Sequence, residues 1–453
     1  MLTFILNYTA IQSRLDPHFY SPNFSRAQHL LKEVESVPLG ELIEFSSESW
    51  NQEDYFDDLF PYIEISEIDI ETGCIKNIST LLKSEAPSRA KKIVRENDII
   101  VSTTRPSRGA ISLIDSSKDG FIASTGFAVL RDFKIEGILR KYFFYILRNE
   151  QTLNQFMQRS SGGNYPAITE DEMKKVLIPV PSESIQKRIV QILDEAYEKK
   201  KRNEEEAQQL LNSIDAYILD KLGIKLAEPK REQEFRVDVN QLSGRLDPFY
   251  YQPQFLAMVK AIQNGMHDVL FFEQLMIDLT NGKEYRSYSE KGFRYLRVTD
   301  LKKWGLNNSD PRYINIEKIP EQIRLSYDDF LISRSGSLGL VSVVNDETID
   351  TVLSSHIFKV LLDTKKVLPN YLEAYFRSTI GQFQFFRNNN GGIVPEINQT
   401  ALRNLLVVLP PKDIQEEIAI EVSKRILEAN ELIVASESSM RSAKQEIVNI
   451  LFN

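Results

Sequence analysis

The chain has 453 residues, of which 42% are hydrophobic and 26% charged; this globular composition excludes wholesale disorder, collagen and low-complexity arrays. At roughly 100–200 residues per domain it is long enough for two to four domains, each with its own core. A net charge of −9, taken alone, argues against a nucleic-acid partner, because phosphate binding needs basic surface.

From the N-terminus, Met1 to Ala10 is apolar but lacks a basic region and a cleavage site, so no signal peptide is expected. No run approaches the ~18 apolar residues of a membrane span, so no membrane partner is expected. Cys74 is the single cysteine, which excludes an intrachain disulfide and fits a reducing cytoplasm. None of the four histidines (His18, His29, His267, His356) has metal-ligand spacing, and no metal site is expected. The charge is concentrated: Glu35 to Thr80 holds twelve acids against one base, Lys76, and the remainder of the chain carries +2.

The chain then repeats itself. Arg14-Leu15-Asp16-Pro17-His18-Phe19-Tyr20 returns as Arg245-Leu246-Asp247-Pro248-Phe249-Tyr250-Tyr251, and Asp98-Ile99-Ile100-Val101-Ser102 returns as Asp329-Phe330-Leu331-Ile332-Ser333, both at an offset of 231. Tyr142–Arg148 matches Tyr371–Arg377, Gly162–Ile168 matches Gly391–Ile397, and Ile185-Gln186 matches Ile414-Gln415, all at 229. Repeats of this size are domains, not the units of a solenoid. Each opens on the Arg-Leu-Asp-Pro lead and continues through short β-like runs: Asp98–Thr103, Ala110–Ile114 and Phe127–Leu130, then Phe293–Val298, Phe330–Ser333 and Leu340–Val344. Each ends on a Pro-marked exit that opens a long helix.

Those helices are predicted over Ser184–Leu222 and Asp413–Phe452. Apolar residues fall at Ile185, Ile189, Ile192, Ala196, Ala207, Leu210, Ile214 and Tyr217, and at Ile414, Ile418, Val422, Ile426, Ala429, Met440, Ala443, Ile447 and Ile450. Steps of three and four are the seam of a coiled coil. Ser182 or Ser184 and Asp413 are the expected N-caps, and Gly223 the stop of the first helix. At ~1.5 Å per residue a helix of about 39 residues spans roughly 58 Å, which favours pairing of the two helices over separate packing on separate cores.

Two β-rich domains, each followed by a helix that starts Pro181-Ser182-Glu183-Ser184-Ile185-Gln186 or Pro410-Pro411-Lys412-Asp413-Ile414-Gln415, resemble the specificity subunit of type I restriction-modification systems over essentially the whole chain. The resemblance implies an α+β fold: two tandem target recognition domains (1–180 and 226–410) joined by spacer helices (181–225 and 411–453) that form an antiparallel coiled coil with a pseudo-twofold repeat. It implies a non-catalytic, cytoplasmic subunit that reads an asymmetric, bipartite, gapped site on double-stranded DNA, one half per domain. It also implies recruitment of methyltransferase and restriction/translocase subunits, with S-adenosylmethionine, ATP and Mg used by those partners and no cofactor bound here. The rival reading is a scaffold or DNA mimic that binds methyltransferase subunits through the acidic segment, or a specificity module of another phage-defence complex.

Three segments have the residue types that contact phosphates and base edges. The loop after the first Asp-x-x-x-Ser strand carries Thr103, Thr104, Arg105 and Arg108; its counterpart carries Arg334, Ser335 and Ser337. The glycine turns carry Arg159, Ser161, Asn164 and Tyr165, and Asn388, Asn389 and Asn390. The third segment holds Lys283, Tyr285 and Arg286, with Arg294 and Arg297 downstream; Gly282–Lys303 has seven bases against three acids. Its first-repeat equivalent is the acidic segment, where Arg89, Lys91, Lys92 and Arg95 are the compensating bases. Ser124 and His356 lie near corresponding strands. The alternative for each loop is a polar turn without a ligand, since Ser and Gly favour turns anyway. No phosphate loop, Asn/Asp-Pro-Pro-aromatic tetrapeptide, zinc-protease motif or nucleophile elbow occurs, so catalysis is not expected in this chain.

Overall fold

The computed structural model describes residues 16–22, 24, 31, 34–51, 53, 56, 58–226, 234–239, 242 and 245–452. Met1–Ala10, Arg14, Leu15, His29, Asp54 and Asp57 lie outside them. The chain forms two units, Met1–Asn203 with Val434–Asn453, and Glu204–Ile433.

Each unit has the same central sheet. In the first, the antiparallel order is Ile43–Phe45, Phe127–Phe133, Ile99–Ser102, Ile111–Leu113. In the second it is Met276–Asn281, Ile357–Leu362, Phe330–Ser333, Val341–Val343. A second sheet accompanies each, containing one parallel pair: Leu59–Ile63 with Ile122–Ser124, and Phe293–Leu296 with Thr351–Leu353. The duplicated strand is apolar without alternation because it is buried on both faces. Ile99 and Val101 join one core while Ile100 joins another; Phe330 and Ile332 likewise face one core and Leu331 the other.

The repeated motifs have physical causes. Asn97 and Asp328 turn the chain with φ of 69° and 70°, a conformation Asn and Asp tolerate best among non-glycine residues. The following Asp98 and Asp329 are buried and accept the amides of Arg95 at 2.7 Å and Ser326 at 2.8 Å. Asp98 is also paired with Arg131 at 2.9 Å, so its buried charge is compensated. The Ile-Gln helix start is a clamp. The buried Gln186 amide accepts from the Leu139 amide and donates to the Gly137 and Pro181 carbonyls, each at 2.9 Å. Gln415 accepts from Leu368 at 2.9 Å and donates to the Lys366 and Pro410 carbonyls at 3.2 and 2.9 Å. Tyr142 and Tyr371 tie the same region down, donating to the Pro179 and Val408 carbonyls at 2.8 and 2.6 Å.

The long helices run Glu183–Leu222 and Lys412–Phe452. In the second unit they are antiparallel: Lys221 pairs with Glu417 at 2.5 Å, and Arg425 donates to the Ser213 carbonyl at 3.1 Å. In the first unit Arg188 meets Glu446 at 3.3 Å. Each half-helix is also part of its unit's core, through Ile189, Leu193, Ala196, Ala443 and Ile447, and through Ile214, Ile218, Leu222, Ile418 and Val422. Pairing and core packing therefore occur together. That double duty moves the buried seam by one residue at Leu193 and Ile218, where Ile192 and Tyr217 were expected. One cap also differs. The C-terminal helix starts at Lys412, which places Asp413 inside the first turn, where its charge favours the helix N-terminus without capping it.

Candidate nucleic-acid interface

In the first unit the strand Ile99–Ser102 runs into a loop that the glycine turn holds in place. The Ile168 amide donates to the Thr103 carbonyl at 2.9 Å and the Arg105 amide to the Pro166 carbonyl at 2.7 Å, with a β-bridge between Thr104 and Ala167. The turn closes on itself through reciprocal bonds of 2.8 Å between Ser161 and Ala167. Two of the expected residues are thereby brought face to face. The Arg105 guanidinium lies 4.2 Å from the Tyr165 ring centre and donates to the Asn164 carbonyl at 3.1 Å. Tyr165 is 70% exposed, and Arg108, Ser161 and Asn164 are exposed beside it. Arg105 holds φ 48° and ψ 51°, a left-handed conformation that is costly for a side chain of this size. Arg159 is turned elsewhere, pairing with Glu172 at 3.2 Å.

The second unit builds the same joint. The Ile397 amide donates to the Arg334 carbonyl at 2.9 Å and the Gly336 amide to the Pro395 carbonyl at 2.9 Å, with a β-bridge between Ser335 and Glu396. In this register the arginines of the two loops do not share one position. Arg334 is the counterpart of Thr103, and Gly336, with φ 86°, is the counterpart of Arg105. Arg334 is ion-paired with Glu396. The three asparagines divide their tasks. Asn388 is buried and donates to the Gln384 carbonyl at 2.9 Å. Asn389 accepts from the Gly391 and Glu396 amides, both at 2.9 Å, and so shapes the turn. Asn390 is the exposed one. Ser337 supplies a carbonyl to the Ser333 hydroxyl at 2.5 Å.

In the third segment, Gly282 is required by close approach: a Cβ there would lie 2.2 Å from the Ser354 carbonyl oxygen. Lys283 sits 5.6 Å from the Tyr285 ring centre, and Arg286 is 90% exposed. Arg297 is spent on the fold, pairing with the buried Asp300 at 2.7 Å, which holds its guanidinium pKa above the usual value. Arg294 donates to Asn308 at 2.7 Å. Among the compensating bases of the first unit, Arg89 and Lys91 are exposed, while Lys92 pairs with Glu170 at 2.8 Å and Arg95 with Glu48 at 2.5 Å. Among the described residues, three of the twelve acids of the acidic segment are ion-paired: Glu48 with Arg95 and Arg131, Asp69 with Lys76, Glu71 with Lys200.

Two features lay beyond sequence reasoning. Phe19 and Tyr250 are tied to the helix before each glycine turn: Gln158 donates to the Phe19 carbonyl at 2.7 Å and Arg387 to the Tyr250 carbonyl at 3.1 Å. Gln158 and Arg387 are structural equivalents of different chemistry, so no residue match marks them. The second glycine turn also carries an apolar tip, Ile393 and Val394, at 102% and 56% exposure. Two aliphatic residues directly after Gly-Gly were the available signal.

A family model described as type I restriction modification DNA specificity domain matches residues 31–212 and 280–434. The chain is similar to the type I restriction enzyme HindI specificity subunit of Haemophilus influenzae, with 28% identity over 111 residues. That match spans 24% of this chain and 24% of the relative, about a quarter of the relative's own length. Among solved structures, a chain from work on complex assembly and conformational transition of the type I R-M system has a TM-score of 0.55 and 21% identity over 92% of this chain and 96% of that one. A type I restriction-modification S subunit from M. genitalium has a TM-score of 0.49 and 14% identity, covering 92% and 96%.

Proposed function

This chain belongs to the type I restriction modification DNA specificity family, and from that premise we propose that it is the sequence-reading chain of a type I restriction-modification complex, taking one half of a bipartite, gapped duplex site with each unit. It carries recognition and leaves cleavage and adenine methylation to partner subunits, which use S-adenosylmethionine, ATP and Mg. The recognition domains are 1–180 and 226–410, the spacer helices 181–225 and 411–453, and the role places the protein in the cytoplasm. No helix among the described residues is long and apolar enough to cross a membrane.

One observation carries this reading: both units build the same backbone joint between a strand end and a glycine turn, yet mount different side chains on it. A constant scaffold with variable tips suits two readers of two different half-sites. In the first unit the readers are Arg105, Arg108 and Tyr165, with Thr103, Thr104, Ser161 and Asn164 beside them. In the second they are Asn390, Ser335 and Arg334, joined by Lys283, Tyr285 and Arg286. Arg is suited to guanine or phosphate and Asn to adenine. Arg159, Arg297, Asn388, Asn389 and Ser337 support this surface by holding its backbone in place. The exposed pair Ile420 and Leu427, one heptad apart on the C-terminal helix, suits a helix of a methyltransferase subunit.

The test is a gel shift of the chain reconstituted with its methyltransferase subunit, on mapped and scrambled duplexes at low and high salt. Preference for the mapped duplex that persists at high salt is the expected result. Assembly without any DNA preference would favour the scaffold or mimic reading. With an overall charge of −9, the isolated chain is expected to bind DNA weakly, phosphate grip coming largely from the partners.

A further inference from the structure

The tip of the second glycine turn is aliphatic, rigid and bare. Ile393 is fully exposed and Val394 more than half exposed. The turn beneath them is fixed: the Asn389 side-chain oxygen Oδ1 takes the Gly391 and Glu396 backbone amides at 2.9 Å each, and the Asn390 backbone amide donates to the Glu396 carbonyl at 2.7 Å. It is also tight, since a Cβ on Gly391 would lie 1.9 Å from the Val394 carbonyl oxygen. In the first unit the corresponding tip residue, Tyr165, is also exposed, but one face of its ring meets the Arg105 guanidinium at 4.2 Å. The residue in Arg105's place here is Gly336, which has no side chain to contact the tip. Exposed aliphatic side chains on a pinned turn, next to exposed Asn390, gain nothing from solvent. They become favourable only on burial.

Resting on the DNA-reading role proposed above, we propose that Ile393 and Val394 form a thymine-methyl reader, packing against the C5-methyl group of a thymine in the half-site taken by the second unit. The chemistry selects the target. These side chains neither donate nor accept hydrogen bonds, and the thymine methyl is the one apolar group displayed on base edges in the major groove. Neighbouring Asn390 and Ser335 supply the hydrogen bonding that the tip cannot.

The experiment uses the chain assembled with its methyltransferase subunit and a duplex of the mapped site. Each thymine of each half-site is replaced in turn by deoxyuridine, which removes only the methyl group. At one position of one half-site, deoxyuridine should weaken binding by the wild-type complex about three- to ten-fold, the scale of one buried methyl group. The Ile393→Ser, Val394→Ser complex should bind thymine and deoxyuridine duplexes equally at that position and retain its response to changes in the other half-site. Three results overturn the inference: sequence-specific binding with a flat response to every deoxyuridine, a second half-site without thymine, or a deoxyuridine penalty that survives in the double variant. A flat response with loss of affinity in the variant would indicate a wedge between base steps or a protein contact. Absence of any sequence preference in the wild-type complex would instead remove the underlying DNA-reading role.

Discussion

Arg105 and Gly336 occupy the same place in their respective units. Each donates its backbone amide to the proline carbonyl of the glycine turn, Pro166 at 2.7 Å and Pro395 at 2.9 Å, and each has positive φ, 48° and 86°. Glycine takes that conformation without strain, whereas for an arginine it costs roughly 1–2 kcal/mol. The first unit keeps a strained arginine where the second shows that glycine suffices, which points to a use for the side chain.

Arg105→Gly should therefore leave folding stability within about 1 kcal/mol of wild type, relief of strain being offset by the greater freedom of glycine in the unfolded chain. Binding to the mapped site should weaken by about 1–3 kcal/mol, with relaxed preference at one position of one half-site. Urea unfolding and gel shifts on single-base variants read both. Equal weakening on unrelated DNA would make Arg105 a phosphate contact, and a large stability loss would make it structural.

The glutamine clamps give a stability prediction. Gln186→Ala leaves the half-buried Leu139 amide and Pro181 carbonyl without their partner. A loss of about 1–3 kcal/mol is expected in the first unfolding transition. Gln415→Ala should do the same through Leu368 and the buried Pro410 carbonyl. An unchanged urea midpoint in both variants would contradict the clamp.

Glu48 gives a pH prediction. Its hydrogen bonds with Arg95 and Arg131 outweigh burial and hold its carboxyl below the usual carboxylate range. A group with a depressed folded pKa binds fewer protons when folded. Its contribution to stability is present above the unfolded pKa of about 4.3 and is lost as pH falls through the lower folded value. The stability difference between wild type and Glu48→Gln should shrink on acidification below about pH 4.5. A difference that stays constant from pH 7 to pH 3 in urea titrations would contradict this.

Much of the fold was legible because duplication exposed what each motif does. Asp98 and Asp329 repeat because a buried carboxylate closes the turn before the central strand, and Gln186 and Gln415 because one amide satisfies three backbone groups. The site was less legible. Both loops carry arginine, which suggests one shared reader, but the offset of 231 and the backbone hydrogen bonding both set Arg334 opposite Thr103. Polar residues taken together as readers were separated by burial. Asn388 and Arg297 serve the fold, while Asn390 and Arg286 face solvent. Residue type cannot separate these roles, because an amide or guanidinium suits a base edge and a buried carbonyl or carboxylate equally well. The type of Ile393 does not mark it for a surface role, because an apolar residue ordinarily belongs to a core.

The central claim is that each unit reads its own half-site through its own loop joint. It is tested most directly by mapping methylated sites in cells that express this chain with its methyltransferase subunit, comparing wild type with Arg105→Ala, Arg108→Ala and with Arg334→Ala, Asn390→Ala. The predicted result is degeneracy in one half-site for the first pair and in the other half-site for the second, with the gap length unchanged in both. If both pairs alter the same half-site, or if neither alters sequence preference while methylation continues, the two joints do not read separate half-sites.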